Sequence, residues 1–364
     1  MTAVHVVVPE GVDDPTRPSG GNTYDLRVCA GLARRGWAVS RHEATGRWPG
    51  PDAAARQALG ARLAGLSRGS LVLVDGLVAS AVPEVLVAEA RRLRVVVLLH
   101  LPRGHDAAGG VDGAPALRRR TRADEGAVLR AAAGVIVPSR WTRDWVVEAY
   151  GLAADRVDVV APGVDAAPLV AGGPAGSRLA CIGAVVPTKG QDRLVDALAD
   201  LTDLSWSCQV VGSLDVEPSW ARRLGRRVEG GGLGERVRLR GPLPGPEVDA
   251  VYADSDLVVV PSRIETYGLV VTEALARGIP VVASHVGGLP EALGDTPLGR
   301  PGVLVPPDDP AGLARALRRW ITDAGRRADL RSAARARREA LADWSTTSDG
   351  VSAVLSAVRT GAAA

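Results

Sequence analysis

The sequence predicts an α/β protein of two Rossmann-like domains, each a parallel sheet covered by helices. Three observations carry this. Short apolar, β-branched runs recur along all 364 residues, separated by stretches of helical spacing. Runs that are apolar throughout indicate strands buried on both faces, as in a parallel sheet. The runs also fall into two series, split by a seam rich in Ala, Gly and Pro. The length suits two domains, and 46% apolar residues suffice for two cores.

The first series is VHVVV (Val4 to Val8), LVLVD (Leu71 to Asp75), RVVVLLH (Arg94 to His100), GVIVPS (Gly134 to Ser139) and RVDVVAPG (Arg156 to Gly163). The seam is DAAPLVAGGPAGS (Asp165 to Ser177). The second series is LACIG, SCQVVG, RVRLRG, DLVVVPS, IPVVAS and GVLVPP. The boundaries expected are an N-terminal domain over 1–165, a linker over 166–176, a C-terminal domain over 177–342 and a closing helix over 343–364. Ser345 or Thr346 is placed to cap that last helix.

Composition excludes several classes. Net charge is only +3, and the pI near 9.0 reflects Arg in place of Lys. The clusters RRRTR (Arg118 to Arg122) and RSAARARR (Arg331 to Arg338) lack interleaved aromatics, so they read as solvated helix faces and not as a nucleic-acid platform. Peripheral membrane contact has weak support from them. Cys29, Cys181 and Cys208 are odd in number and set in apolar surroundings, which suggests buried free thiols in a reducing compartment. The start, MTAVHVVVPEG, has no basic n-region, and no apolar run approaches the ~20 residues a spanning helix needs. A cytoplasmic protein from a GC-rich bacterium is expected, its oligomeric state open.

Ligands of such sheets bind beyond the carboxyl ends of strands. After the first strand comes PSGGNTYDLRV, where Gly20 and Gly21 end a loop, Asn22 or Thr23 caps a helix and Asp25 falls in its first turn. Bare amides at such a helix start suit an anion. The G-x-G-x-x-G fingerprint is absent, which disfavours a nicotinamide oxidoreductase. His100 ends another apolar run, and its titration range suits proton handling or hydrogen bonds to hydroxyls. His105 lies in a Gly-rich loop and reads as solvated. The DSD triplet (Asp254 to Asp256) precedes a strand, the wrong end for a metal site, and no His pair has ligand spacing.

The most informative stretch is PSRIETYGLVVTEALARGIPVVASHVGGLPE (Pro261 to Glu291). A loop carries Glu265, and Gly268 then opens a helix that contains Glu273. Amides near Gly268, Leu269 and Val270 suit a diphosphate, reinforced by the helix dipole. The two glutamates serve different places, since only Glu273 lies inside the helix. Lys189, in GAVVPTKGQDRLVDAL, is the only Lys of the chain.

The pattern PSxxExxGLxxxEALAxGxPVVAS resembles the retaining GT-B glycosyltransferases of glycosyltransferase family 4. SGGN, VPSRWTRD with PGVD, IGAVVPTKGQDRLVDAL and RVRLRGPLP are similar to further segments of that family, and the resemblance covers essentially the whole chain. It implies two Rossmann-like domains whose parallel sheets face a deep interdomain cleft. It implies transfer of a hexosyl group from a nucleotide-diphosphate sugar, most often UDP, to a small-molecule or lipid hydroxyl with retention. An inverting GT-B transferase and a non-hydrolysing epimerase share the fold. By resemblance the catalytic residues are His100, Lys189 and Glu265. The donor is held by Gly20, Gly21, Gly183, Lys189, Leu243, Glu265, Gly268, Leu269, Val270 and Glu273. Of these, Leu243 lines the base and Glu273 binds the ribose. Asn22 and His100 lie on the acceptor side. No metal and no resident cofactor are implied. One departure stands out: Ala184 follows Gly183 where the family carries an Arg, and Arg193 and Arg263 are candidates to replace it. The acceptor is not encoded legibly in loops such as ATGRWPGPD (Ala44 to Asp52) and RGHDAAGGVDGAPA (Arg103 to Ala116).

Overall fold

The computed structural model describes residues 2–15, 18–105 and 115–361. Most of the loop over Arg103 to Ala116 lies outside them. The chain divides into two compact units. One comprises 1–14, 20–163 and 342–364, and the other comprises 15–19 and 164–341.

The first unit holds a six-stranded parallel sheet. Its strands are β1 (Thr2–Pro9), β2 (Trp37–Ala44), β3 (Leu71–Asp75), β4 (Arg94–Leu98), β5 (Gly134–Val137) and β6 (Val157–Val159), in the order β2-β1-β3-β4-β5-β6. Five were legible as apolar runs. The sixth, β2, was not: WAVSRHEA is an edge strand with exposed Ser40 and Arg41 and carries no apolar run. β3 and β5 are fully buried along their length, as strands covered on both faces must be. The basic cluster over Arg118 to Arg122, read as a solvated helix face, is a largely exposed stretch of the Pro115–Ala131 helix.

The second unit holds β7 (Arg178–Ile182), β8 (Ser207–Val211), β9 (Val237–Gly241), β10 (Leu257–Val260), β11 (Val281–Ser284) and β12 (Gly302–Val305), in the order β12-β11-β10-β7-β8-β9. In both sheets the order reverses beside the first strand, so a switch point lies next to β1 and next to β7, where Rossmann-like folds bind ligands.

Three local expectations are corrected. Segment 166–176 is no free linker but part of the second unit. Val170 N–H donates to Arg277 O at 2.9 Å, and Gly173 N–H donates to Asp256 at 2.5 Å. Asp256 also accepts from the Arg178 amide and guanidinium, so the DSD triplet clasps this segment. The Arg331 to Arg338 run is no plain solvated face either: Arg331 and Arg338 donate to Gly173 O and Ala167 O of the same segment. The closing helix, Trp344–Thr360, belongs to the first unit, and its cap is Asp343, which accepts from Thr346 N–H at 2.8 Å. Cys181 and Cys208 are buried free thiols, while Cys29 is only half-buried. Among the described residues no helix is long and apolar enough to cross a membrane.

Candidate active site

In the second unit the ends of β7 and β10 carry the predicted donor-side residues. After β7, Gly183 and Ala184 lead to the 3-10 turn Pro187–Lys189, and Gly190 then starts the Gln191–Ala199 helix. Gly190 has φ 68°, and a Cβ there would overlap the Pro261 carbonyl beyond β10. Only glycine lets these two strand ends approach. Arg263 N–H donates to Thr188 O at 2.8 Å and ties the loops together. The result is that Lys189 Nζ reaches Glu265 Oε2 at 2.5 Å, with the Lys stem over Gly183.

Glu265 is held by a segment that has no role in the sequence reading. Gly288 N–H donates to Glu265 O at 2.8 Å, and a Cβ on Gly287 would overlap that same oxygen. The helix Leu269–Ala276 follows, with Gly268 before it and no side chain capping it. Its first amides, at Leu269 and Val270, have no partner within the helix. The space beside Glu265, Gly268 and Lys189 is thus ringed by a carboxylate, an ammonium and a helix N-terminus.

Glu273 lies on that helix, half-buried, and accepts from Tyr252 OH at 2.7 Å. Burial raises its pKa, against the Tyr252 hydrogen bond and the Arg277 charge. Arg277 covers the Tyr252 ring 4.4 Å from its centre. Tyr252 carries no motif and was invisible in sequence. Leu243, beyond β9, packs with Ala180, Val211 and Val251.

Neither candidate for the missing Arg is an uncommitted cation. Arg263 makes a bidentate pair with Asp192, at 2.8 and 2.6 Å, and donates to Pro187 O. Arg193 is buried and pairs with Asp308. Burial, and then the neighbouring Arg263 charge, lower its pKa to about 10. Beside Ala184 stands Gln191, whose Nε2 donates to Ala184 O at 3.0 Å.

The first unit gathers Gly20, Gly21, Asn22 and His100. The helix begins at Gly20, so Gly20 to Thr23 form its first turn and neither Asn22 nor Thr23 is its cap. Asp25 lies deeper, in the second turn, and is buried. The His100 ring packs on Gly21, where a Cβ would come within 3.1 Å of His100 Cδ2. His100 Nε2 stands 2.9 Å from Asp25 Oδ1 and 3.4 Å from Asp75 Oδ2. One atom from each of the three residues lies within 4.8 Å of the others. Asp75 ends β3, and its Oδ1 accepts from Leu77 and Val78 N–H. The partnership of Asp25, Asp75 and His100 joins residues 50 and 25 positions apart in sequence, so spacing gave no signal.

Beyond His100 the chain is pinned by Glu125, fully buried, which accepts from the amides of Arg103 and Gly104 at 3.0 and 2.9 Å. Ser80 and Tyr150 donate to it as well. His105 is not solvated: it packs between Trp141 and Trp145, with ring centres 5.6 and 5.2 Å away.

Two parallel six-stranded sheets in separate units, with residue clusters at their C-terminal edges, define a GT-B protein. A model described as Glycosyltransferase Family 4 matches residues 18–167, and one described as Glycosyl transferases group 1 matches residues 176–337. The chain belongs to glycosyltransferase family 4. It is 37% identical over 233 residues to D-inositol 3-phosphate glycosyltransferase 1 of Catenulispora acidiphila, a match covering 58% of this chain and 54% of that protein. It is 34% identical to the D-inositol 3-phosphate glycosyltransferase of Frankia alni, over 62% of this chain and 58% of that one. These matches thus span little more than half the length of the curated relatives. Among solved structures it is similar to sucrose-phosphate synthase from Thermosynechococcus elongatus, with TM-score 0.82, 21% identity and 99% and 100% of the two chains covered. It is also similar to Anabaena HepE in complex with UDP-glucose, with TM-score 0.77, 22% identity and coverage of 98% and 100%.

Proposed function

We propose that the chain is a hexosyltransferase that takes a sugar from a nucleotide-diphosphate donor and passes it, with retention, to a hydroxyl of a small-molecule or lipid acceptor. The observation that carries this is the Lys189–Glu265 pair beside the uncapped start of the Leu269–Ala276 helix. Breaking the anomeric C–O bond leaves negative charge on the diphosphate. Fixed donors aimed at that charge lower the barrier by roughly 3–4 kcal/mol each where they are well placed. Lys189 and the amides of Gly268, Leu269 and Val270 are such donors, with Gly183 making room for the Lys stem. Glu265, once Lys189 turns to phosphate, is an acceptor for the sugar hydroxyls. Glu273 takes the ribose hydroxyls, and Leu243 covers the base.

Asn22 and His100 serve the acceptor, with the Gly20 and Gly21 amides nearby for an anionic group. The scheme calls for no metal and no resident cofactor. UDP-glucose is the first donor to test, since a structural neighbour was solved with it. An inositol phosphate is the first acceptor, since the relatives' names print one. The buried thiols suit a cytoplasmic location.

A thermal-shift panel of UDP-, GDP- and ADP-sugars tests the donor class, because a ligand bound only by the folded chain stabilises by RT ln(1 + [L]/Kd). Stabilisation by one nucleotide series is expected. A flat response to all three sinks the reading. NMR of the glycosylated product then reads the anomer: inversion removes the retaining step, and epimerised donor without acceptor marks an epimerase.

A further inference from the structure

The cluster of Asp25, Asp75 and His100 holds more than is needed to orient a ring. One carboxylate suffices for that, and a second buried negative charge is costly. Asp25 and Asp75 are 2% and 5% exposed. Both aim an oxygen at the same nitrogen, His100 Nε2. Ionised carboxylate oxygens only accept, so Nε2 carries a proton. The other oxygen of Asp25, Oδ2, is buried and has no hydrogen-bond partner. Among the described residues, His100 is the only basic side chain in an ion pair with either acid.

Among the described residues of the Gly20–Arg34 helix, Tyr24 and Cys29 stay neutral, and Arg27 is a cation turned to an aromatic ring. Tyr24 OH donates to Val160 O at 2.7 Å. The Cys29 thiol is pushed up to about 11, by burial and then by Asp25. Arg27 stacks over Trp344.

We propose that the three residues form a buried two-proton unit: His100 is an imidazolium whose Nε2–H is held by Asp25, and the second proton sits on Asp75, beside Asp25. The unit is then neutral overall, one positive and one negative charge with one protonated acid. The environment agrees. Burial by itself lowers the His100 pKa, but the charge and hydrogen bond of Asp25, with Asp75, outweigh it and leave the pKa raised. Burial, and then the charge of Asp25, push Asp75 up to about 7.

An imidazolium has a proton on both nitrogens. His100 therefore brings a positive charge to the edge of the sheet, and is not a base. This part rests on the proposed glycosyl transfer, in which the acceptor's proton goes to the departing diphosphate and His100 takes none. Asp25 is a positioning residue, and Asp75 balances charge.

NMR titration of the His100 ring in the whole chain tests this directly, with the signal assigned against variants of His5, His42, His105 and His285. The midpoint is expected above the ordinary value of ~6.5. Asp75→Asn, a mimic of the protonated acid, should leave the midpoint within about half a pH unit, and Asp25→Asn should lower it by about one. A parent midpoint at or below ~6.5 overturns the proposal. So does a midpoint that shifts with Mg2+ or Zn2+ and returns with EDTA, since a cation then balances the charge. If Asp25→Asn does not fold, the parent titration decides alone. Turnover should fall as pH rises through the His100 midpoint, and turnover that rises there would make His100 a base. Because the ring titration needs no substrate, an expected midpoint in a chain that uses no nucleotide sugar would reject the proposed function and leave this inference standing.

Discussion

Lys189 and Glu265 show how a single pair can organise a site. Each is the other's partner at 2.5 Å, with Lys189 about one-third exposed and Glu265 less so. Lys189→Ala removes the proposed donor to phosphate and takes its partner from Glu265. Turnover should fall by about 100-fold or more, on the scale of losing one oxyanion donor. Turnover within a factor of about two of the parent would take Lys189 out of the mechanism. Glu273→Ala should act differently, weakening donor binding more than rate. Tyr252→Phe tests the same corner more gently: it removes one hydrogen bond worth ~1 kcal/mol, about fivefold in donor affinity. Isothermal titration with the preferred nucleotide separates these outcomes. Asp75 makes a pH prediction. Its folded pKa, about 7, is raised above the unfolded value of ~3.9, so its contribution is fully present below ~3.9 and is lost as pH rises through 7. Asp75→Asn keeps the acceptor that caps the turn at Leu77 and Val78 and has no such titration. The melting-temperature advantage of the parent over this variant should therefore shrink between about pH 4 and 7. A constant gap would contradict the raised pKa.

At the scale of elements, the site depends on strand ends brought closer than side chains allow. Gly190 touches the chain beyond β10, and Gly287 touches the Glu265 carbonyl. Gly190→Ala adds a Cβ at a positive φ against backbone, two costs at once, so a loss of ~2 kcal/mol or more is expected. Gly287→Ala faces the same two costs and should displace Glu265. Circular dichroism with retained helix content, together with turnover reduced as far as in Lys189→Ala, is the expected result for Gly287→Ala. Full activity would show that the 285–288 turn does not position Glu265. The sequence displayed both glycines but gave no sign of their contacts, since the chains they touch lie 71 and 22 residues away.

At the scale of the molecule, the chain leaves its first unit at 163 and returns to it at 342. The returning helix is integral there. Val351 and Leu355 are fully buried, Trp37 donates to Ser352 at 2.9 Å, and Arg35 pairs with Asp349 at 2.5 Å. Leu355→Ala should cost about 2–5 kcal/mol, the range for a buried large-to-small change. Calorimetry is expected to place that loss in the transition of the first unit. A loss confined to the other transition would assign the helix wrongly.

The fold class was written in the sequence because strands of a covered parallel sheet are rich in apolar residues, and eleven of the twelve strands stand out as such runs. Only β2, at a polar edge, escaped. Gly183, Lys189, Glu265, Gly268 and Glu273 stood out as candidates because each lies in, or in the first helix after, a short loop that follows a strand. What the tertiary structure alone decided are the partnerships: Asp25 and Asp75 with His100, Tyr252 with Glu273, Gly288 with Glu265, and Asp192 with Arg263. Such pairs join residues brought together by sheet order and not by spacing. Their chemistry, including which groups carry protons, arises from burial that no local pattern reports.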